Sequence, residues 1–183
     1  MEKIYIGLVD TPGIFASIIR RVIKQDYIHV VLGMDEDLDE CYSVGRRNPS
    51  VPIFAGFERE DKEKVFRAFP TARYMIFSLE VTTDQKEGIR HQLQACYRRR
   101  FSYHYCLLGL PFVMFQKEFF QKGHYTCSSF IARVLEENGK DLFGKHFSLV
   151  TPRDFYELAA KETIFEGELK TLVIGKRQEA ESF

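Results

Sequence analysis

The sequence predicts an α+β fold in which an antiparallel sheet packs against helices. Three observations carry that reading. Strand-like stretches such as KIYIGLV (3–9), RYMIFSLEV (73–81) and KTLVIGK (170–176) are interspersed with stretches whose apolar residues recur at helical spacing. The two kinds are mixed rather than strictly alternating, which argues against a parallel βαβ sheet. Residues 27–47 read as a hairpin, with a β-branched run at 28–32, an acidic turn at 34–39 and a second strand after it. The 183 residues, 45% hydrophobic and 28% charged, suffice for a single domain over 1–183 with a buried core, and no repeat or linker divides them.

The elements follow in order. After the first strand, Thr11 and Pro12 predict a helix start, with Thr as N-cap and Pro at the first helical position. Ile14, Ile18, Ile19 and Val22 fall on one side of that helix. The hairpin leaves through RRNPSVP (46–52), a turn-rich exit, and the charged residues 58–68 predict a short surface helix. A long helix is expected from about 83 to 100, its face formed by Ile89, Leu93, Cys96 and Tyr97. Arg98, Arg99 and Arg100 at its end suit the negative pole of the helix dipole. YCLLGLPFVMF (105–115) is too short to span a membrane and is broken by Gly109 and Pro111, so it reads as buried core. The helix opened by Cys127 buries Phe130, Ile131, Val134 and Leu135 and stops at Gly139. TPRDFYELAA (151–160) predicts another helix, 170–176 a last strand, and RQEAESF (177–183) a frayed end.

The bulk numbers exclude more than they identify. Formal charge is zero and the basic residues are scattered, so no nucleic-acid footprint is expected. MEKIYIGLVD has none of the parts of a secretory signal, and with no membrane-spanning run the expected location is the cytoplasm. Cys41, Cys96, Cys106 and Cys127 contain no CxxC pair, so free thiols are expected rather than a metal site. There is no glycine-rich phosphate loop, and no cofactor is expected.

The stretch HYTCSSFIARVLEENG (124–139) raises the one chemical question: Cys127 is either a small buried residue or a nucleophile. A thiol attacks as its thiolate, which a helix N-terminus and a histidine partner both favour. Helix N–H groups also suit a developing oxyanion. Of the five histidines, His91 lies in a charged helix, His104 in an aromatic run and His146 in a loop, while His124 precedes the thiol across a helix start. His29 is the unusual one, because it interrupts the apolar strand IHVVLG.

Together, YIHVVLG and the later YTCSSFIARVLEENG resemble the circularly permuted papain-like group. That group includes relatives of the NlpC-type cell-wall amidases and the lecithin–retinol acyltransferase family. In it the histidine strand precedes the cysteine helix, as here. The resemblance implies a permuted papain-like fold, with Cys127 as nucleophile and His29 as base. Such a site also has a polar residue beside the histidine to orient its ring. If the hairpin turns about residue 36, Ser43 faces His29; a one-residue slip brings Tyr42 or Val44 there, and a tighter or bulged turn Glu40. Tyr125, two residues before the cysteine, and Tyr42 are the candidate substrate contacts.

The implied activity is a cysteine hydrolase, an amidase or peptidase cleaving an amide through a thioester. The implied substrate is a small peptide, amide or acyl compound. Two alternatives stay open: a thiol acyltransferase, or a catalytically degenerate binding or regulatory domain with the same fold.

Overall fold

The computed structural model describes residues 1–47, 55–158 and 162–180. Among them, seven helices accompany one eight-stranded, mostly antiparallel sheet. In chain order the strands are β1 (Glu2–Asp10), β2 (His29–Gly33), β3 (Cys41–Arg46), β4 (Ala55–Arg59), β5 (Arg73–Val81), β6 (His104–Tyr105), β7 (His124–Tyr125) and β8 (Glu162–Glu168). The spatial order is β7-β6-β4-β3-β2-β1-β5-β8, and only the short β6–β7 pair is parallel. The helices are α1 (Ile14–Ile23), α2 (Lys62–Ala68), α3 (Thr83–Arg98), α4 (Gly109–Met114), α5 (Cys127–Glu137), α6 (Pro152–Tyr156) and α7 (Leu169–Ala180).

Period-two alternation in the central strands sends side chains to both faces of the sheet. Ile4, Ile6, Leu8, Val30, Leu32, Met75 and Phe77 join Ile89 and Leu93 of α3, Phe130 and Ile131 of α5 and Phe155 of α6 in the larger core. Val9, Val31, Tyr74 and Ile76 join a smaller core with Leu169 and Val173 of α7, against which Val65 and Phe66 of α2 pack. The sheet is therefore covered on both faces, which is why its central strands read as nearly continuous apolar runs.

Several expected elements differ in detail. KTLVIGK is helical: Leu169 and Val173 stand four apart and are both buried, while β8 takes the edge position beside β5. A short apolar run fits a strand or one helix face equally well, and here the helical spacing wins. The helix expected at 58–68 starts only at Lys62, capped by Asp61, because Glu58 and Arg59 still pair with β3. The first helix begins after Gly13 rather than at Pro12, and Thr11 is buried ahead of it. α3 ends at Arg98, and a 3-10 turn follows at Arg100–Ser102. α6 is confined to Pro152–Tyr156. Most of the segment 105–115 is not core: Cys106 and Gly109 are buried and Tyr105 packs against the core, but Leu107, Leu108, Phe112, Met114 and Phe115 are exposed, on and around α4. Most of the expected turn at 46–52, the end of the helix expected at 151–160, and residues 181–183 of the expected frayed end lie outside the described residues. The helix opened by Cys127 stands as expected, and Gly139 follows it with a positive φ of 74°. No helix among the described residues is long and apolar enough to cross a membrane.

Candidate active site

Cys127 is the first residue of α5, and a reciprocal cap fixes that start. Thr126 Oγ1 accepts from Ser129 N at 3.2 Å, and Ser129 Oγ accepts from Thr126 N at 2.9 Å. Ser128 Oγ donates to Val150 O at 2.7 Å, tying the first turn to the chain beyond the helix. The thiol is thereby held at the positive end of an eleven-residue helix, where negative charge is favoured. Its sulfur lies 4.0 Å from Ile28 O, at the entry to β2, and Cys127 is only 2% exposed.

His29 is the first residue of β2 and sits beside that sulfur. Its Nε2 is hydrogen-bonded to Glu60 Oε1. With Nε2 occupied, Nδ1 is the ring nitrogen left for Cys127. Burial works against the charged ring, but the Glu60 carboxylate and the Cys127 sulfur more than offset it, and His29 is pushed up to about 10. The exposures of the two side chains, 20% for His29 and 16% for Glu60, fit a pair shielded from solvent without being sealed off.

Glu60 follows directly on β4 and is pinned by its backbone. Its N–H donates to Cys41 O at 2.9 Å, and the Cys41 thiol lies 3.7 Å from its carbonyl oxygen. The space for the His29–Glu60 contact comes from Gly45. A Cβ there would stand 2.7 Å from His29 Cε1, 3.2 Å from Nε2 and 3.4 Å from Glu60 Oε1.

This arrangement differs from the expected one at the third position. β2 and β3 pair Leu32 with Tyr42 and Gly33 with Cys41, so the hairpin turns about residue 37 and the register places Gly45, not Ser43, across from His29. Ser43 is buried, and its hydroxyl donates to Val30 O at 2.6 Å. It does not orient the ring; Glu60, just past the next strand out, does. Glu40 does not reach it either, and accepts instead from the Tyr42 hydroxyl at 3.3 Å. The two tyrosines expected to touch substrate are core residues. Tyr42 stacks on Phe57, while Tyr125 packs edge-on against Phe130 and its hydroxyl accepts from Arg133.

A cavity of about 250 Å3 opens beside the pair, lined by His29 and Glu60 together with Thr11, Ile28, Arg46 and Tyr105. A narrow pocket of about 20 Å3 borders Cys127 and shares Ile19, Ile28 and Tyr105 with the larger one. Tyr105 thus stands at the wall between thiol and cavity. Burial first, and then the neighbouring Cys127 and Cys106 sulfurs, push its phenol far up, which keeps it a neutral donor. Arg46 donates to Thr11 Oγ1 at 3.2 Å, lies over the Phe69 ring, and brings a second cation near Glu60.

The other three cysteines are free and buried, and burial pushes each of their thiols up. Among the described residues, no group of three or more His, Cys, Asp or Glu side chains is placed to hold a metal ion. Of the histidines set aside in the sequence, His104 lines the larger cavity with His29 and Glu60. His104 and His124 face each other across β6 and β7, and His146 caps a 3-10 turn through Ser148. Glu60, Gly45 and Tyr105 were not singled out from the sequence, and a glutamate inside the charged run 58–68 carries no local signal.

No protein-family model matches the chain, and neither a curated protein nor a solved structure matches it.

Proposed function

We propose that the chain is a cysteine hydrolase of the permuted papain-like kind, cleaving an amide bond through Cys127, His29 and Glu60. One observation carries the reading: the histidine of an early strand lies beside the cysteine of a later helix N-terminus, with a carboxylate on the far side of its ring and a cavity lined by the histidine and the carboxylate. Nothing in the packing of an ordinary core requires these three groups together. A carboxylate beside the ring also stabilises the imidazolium that forms when the thiol gives up its proton.

The proposed reaction runs in two halves. The Cys127 thiolate attacks the carbonyl carbon and the C=O electrons move to oxygen. The first N–H groups of α5 and the hydroxyl of Tyr105, which lines the pocket bordering Cys127, are the donors assigned to that charge. Collapse breaks the C–N bond, and the imidazolium of His29 gives its proton to the departing amine. The product is a thioester on Cys127 and a neutral ring. Water then attacks the thioester, His29 takes its proton, and the C–S bond breaks to release the acid and restore the thiolate–imidazolium pair. Glu60 touches neither substrate nor sulfur in this scheme; it positions the ring and stabilises its charge.

The near-complete burial of Cys127 favours a second reading, a binding or regulatory domain with the same fold and no turnover. Iodoacetamide alkylation of each cysteine against pH separates the two. For the hydrolase, Cys127 reacts well below pH 8, ahead of Cys41, Cys96 and Cys106, and loses this in His29→Ala. Uniformly slow alkylation, or indifference to His29, would sink the hydrolase. A positive result licenses a screen of peptide and acyl amides, with esters and acyl acceptors testing the transferase variant.

A further inference from the structure

The helices α1 and α4 close over the site from one side. Ile19, Val22 and Ile23 of α1 and Leu110 and Val113 of α4 face each other across the narrow pocket at Cys127. The outer surface of this pair is unusually apolar. Among the described residues, seven of the eleven exposed large hydrophobic side chains lie on α1 or between Leu107 and Phe120. Leu108 is 70% exposed and Phe115 73%, with Ile18, Leu107 and Met114 each more than half exposed. A concentration of this kind marks an interaction surface rather than ordinary scatter.

Its charge says what it meets. Residues 11–24 and 107–124 contain Arg20, Arg21, Lys24, Lys117 and Lys122 against a single acid, Glu118, in a chain whose formal charge is zero. Arg20 is paired with Asp10, while Arg21, Lys24, Lys117 and Lys122 are exposed. Exposed leucine and phenylalanine together with exposed lysine and arginine on the same two segments is the composition of a surface lying in a bilayer interface, apolar groups among the acyl chains and cations at the headgroups.

We propose that the α1–α4 face docks reversibly on an anionic lipid surface, with Leu108, Met114 and Phe115 inserted and Arg21, Lys24, Lys117 and Lys122 at the headgroups. No span is needed; the attachment is peripheral. Leu107 also lines the larger cavity, so docking sets the mouth of that cavity against the bilayer. The surface stands without the catalytic reading, because its evidence is exposure and charge alone.

The test is flotation of the full chain with phosphatidylcholine vesicles, with and without a third of phosphatidylglycerol. Binding is expected to the anionic vesicles, weakening as salt is raised. Leu108→Ser with Phe115→Ser should weaken it by about tenfold or more, since each side chain loses an apolar environment. Lys117→Gln with Lys122→Gln should weaken it by roughly tenfold at low salt and little at high salt. All four side chains are exposed, so circular dichroism should be unchanged. Three results each overturn the proposal: no flotation with either vesicle, flotation indifferent to Leu108 and Phe115, or self-association that Leu108→Ser with Phe115→Ser abolishes without any lipid binding. The readout is lipid, so either outcome leaves the alkylation test of Cys127 to be decided separately.

Discussion

Gly45→Ala probes the site with one methyl group. The added Cβ would stand 2.7 Å from His29 Cε1, where carbon atoms rest at about 3.5–4.0 Å, so the ring must withdraw by roughly 1 Å. It cannot do so freely, because Glu60 holds its Nε2 and Glu60 is anchored to Cys41. Either the ring stays and the overpacking costs about 1–3 kcal/mol, or it moves and gives up a charge-assisted hydrogen bond worth roughly 1.5–3 kcal/mol. Gly45 has no positive φ, so the effect is steric and not conformational.

The consequence for chemistry is larger than for stability. In the proposed reaction His29 is the group that takes the proton of the thiol, so displacing its ring parts the sulfur from its base. The expected outcome is a fall of about 10-fold or more in Cys127 alkylation at pH 6. Mass spectrometry of the alkylated cysteines gives the rate at each one. The loss should nearly vanish in a Glu60→Gln background, since both changes act on the same contact. Unchanged alkylation in Gly45→Ala, or a full additional loss on top of Glu60→Gln, would refute the reasoning.

Glu60→Gln keeps the shape and removes the charge; His29, read by NMR titration of its ring protons, should fall well below the value near 10 that it holds with the carboxylate, and Cys127 alkylation at pH 6 should drop at least tenfold. Ser43→Ala should cost about 1 kcal/mol in urea unfolding, for one buried hydrogen bond, and leave the alkylation profile of Cys127 untouched. The pH dependence of stability has a definite sign. His29 is raised from 6.5 to about 10 in the folded chain, so its contribution is complete below pH 6.5 and is lost as pH rises through 10. The stability gap between wild type and His29→Gln, from urea titrations, should therefore narrow steadily between pH 6.5 and 10; a gap that widens over that range contradicts the ion pair.

How far the fold was legible follows from which signals are local. Alternation in β1 and β5 and the Thr126-to-Ser129 cap of α5 are local, so those elements stand close to where the pattern placed them. The 170–176 run offered only consecutive apolar residues, and its state was decided by β8 already occupying the edge beside β5. The 105–115 run misled for a different reason. Apolar content says that a surface seeks company, but not whether the partner is the protein's own core. Cys127 and His29 could be singled out because each breaks a local pattern, a thiol at a helix start and a ring in an apolar strand. Glu60 breaks none, since a glutamate in a charged run is ordinary.

The third position also shows why register governs such a site. A turn centred on residue 37 instead of 36 moves the partner of His29 by two, from Ser43 to Gly45. A shift of two keeps the same face of the strand, so the pattern of buried residues on β3 is identical in either register and contains nothing to choose between them. The chemical consequence is nevertheless complete. Serine opposite His29 would have offered a neutral hydroxyl; glycine offers nothing itself and leaves open the space through which a carboxylate just past the next strand reaches the ring. The charge that holds the His29 proton is therefore set by an absent side chain. A change at Gly45 should disable the pair as surely as a change at Glu60, although only one of those residues has any chemistry of its own.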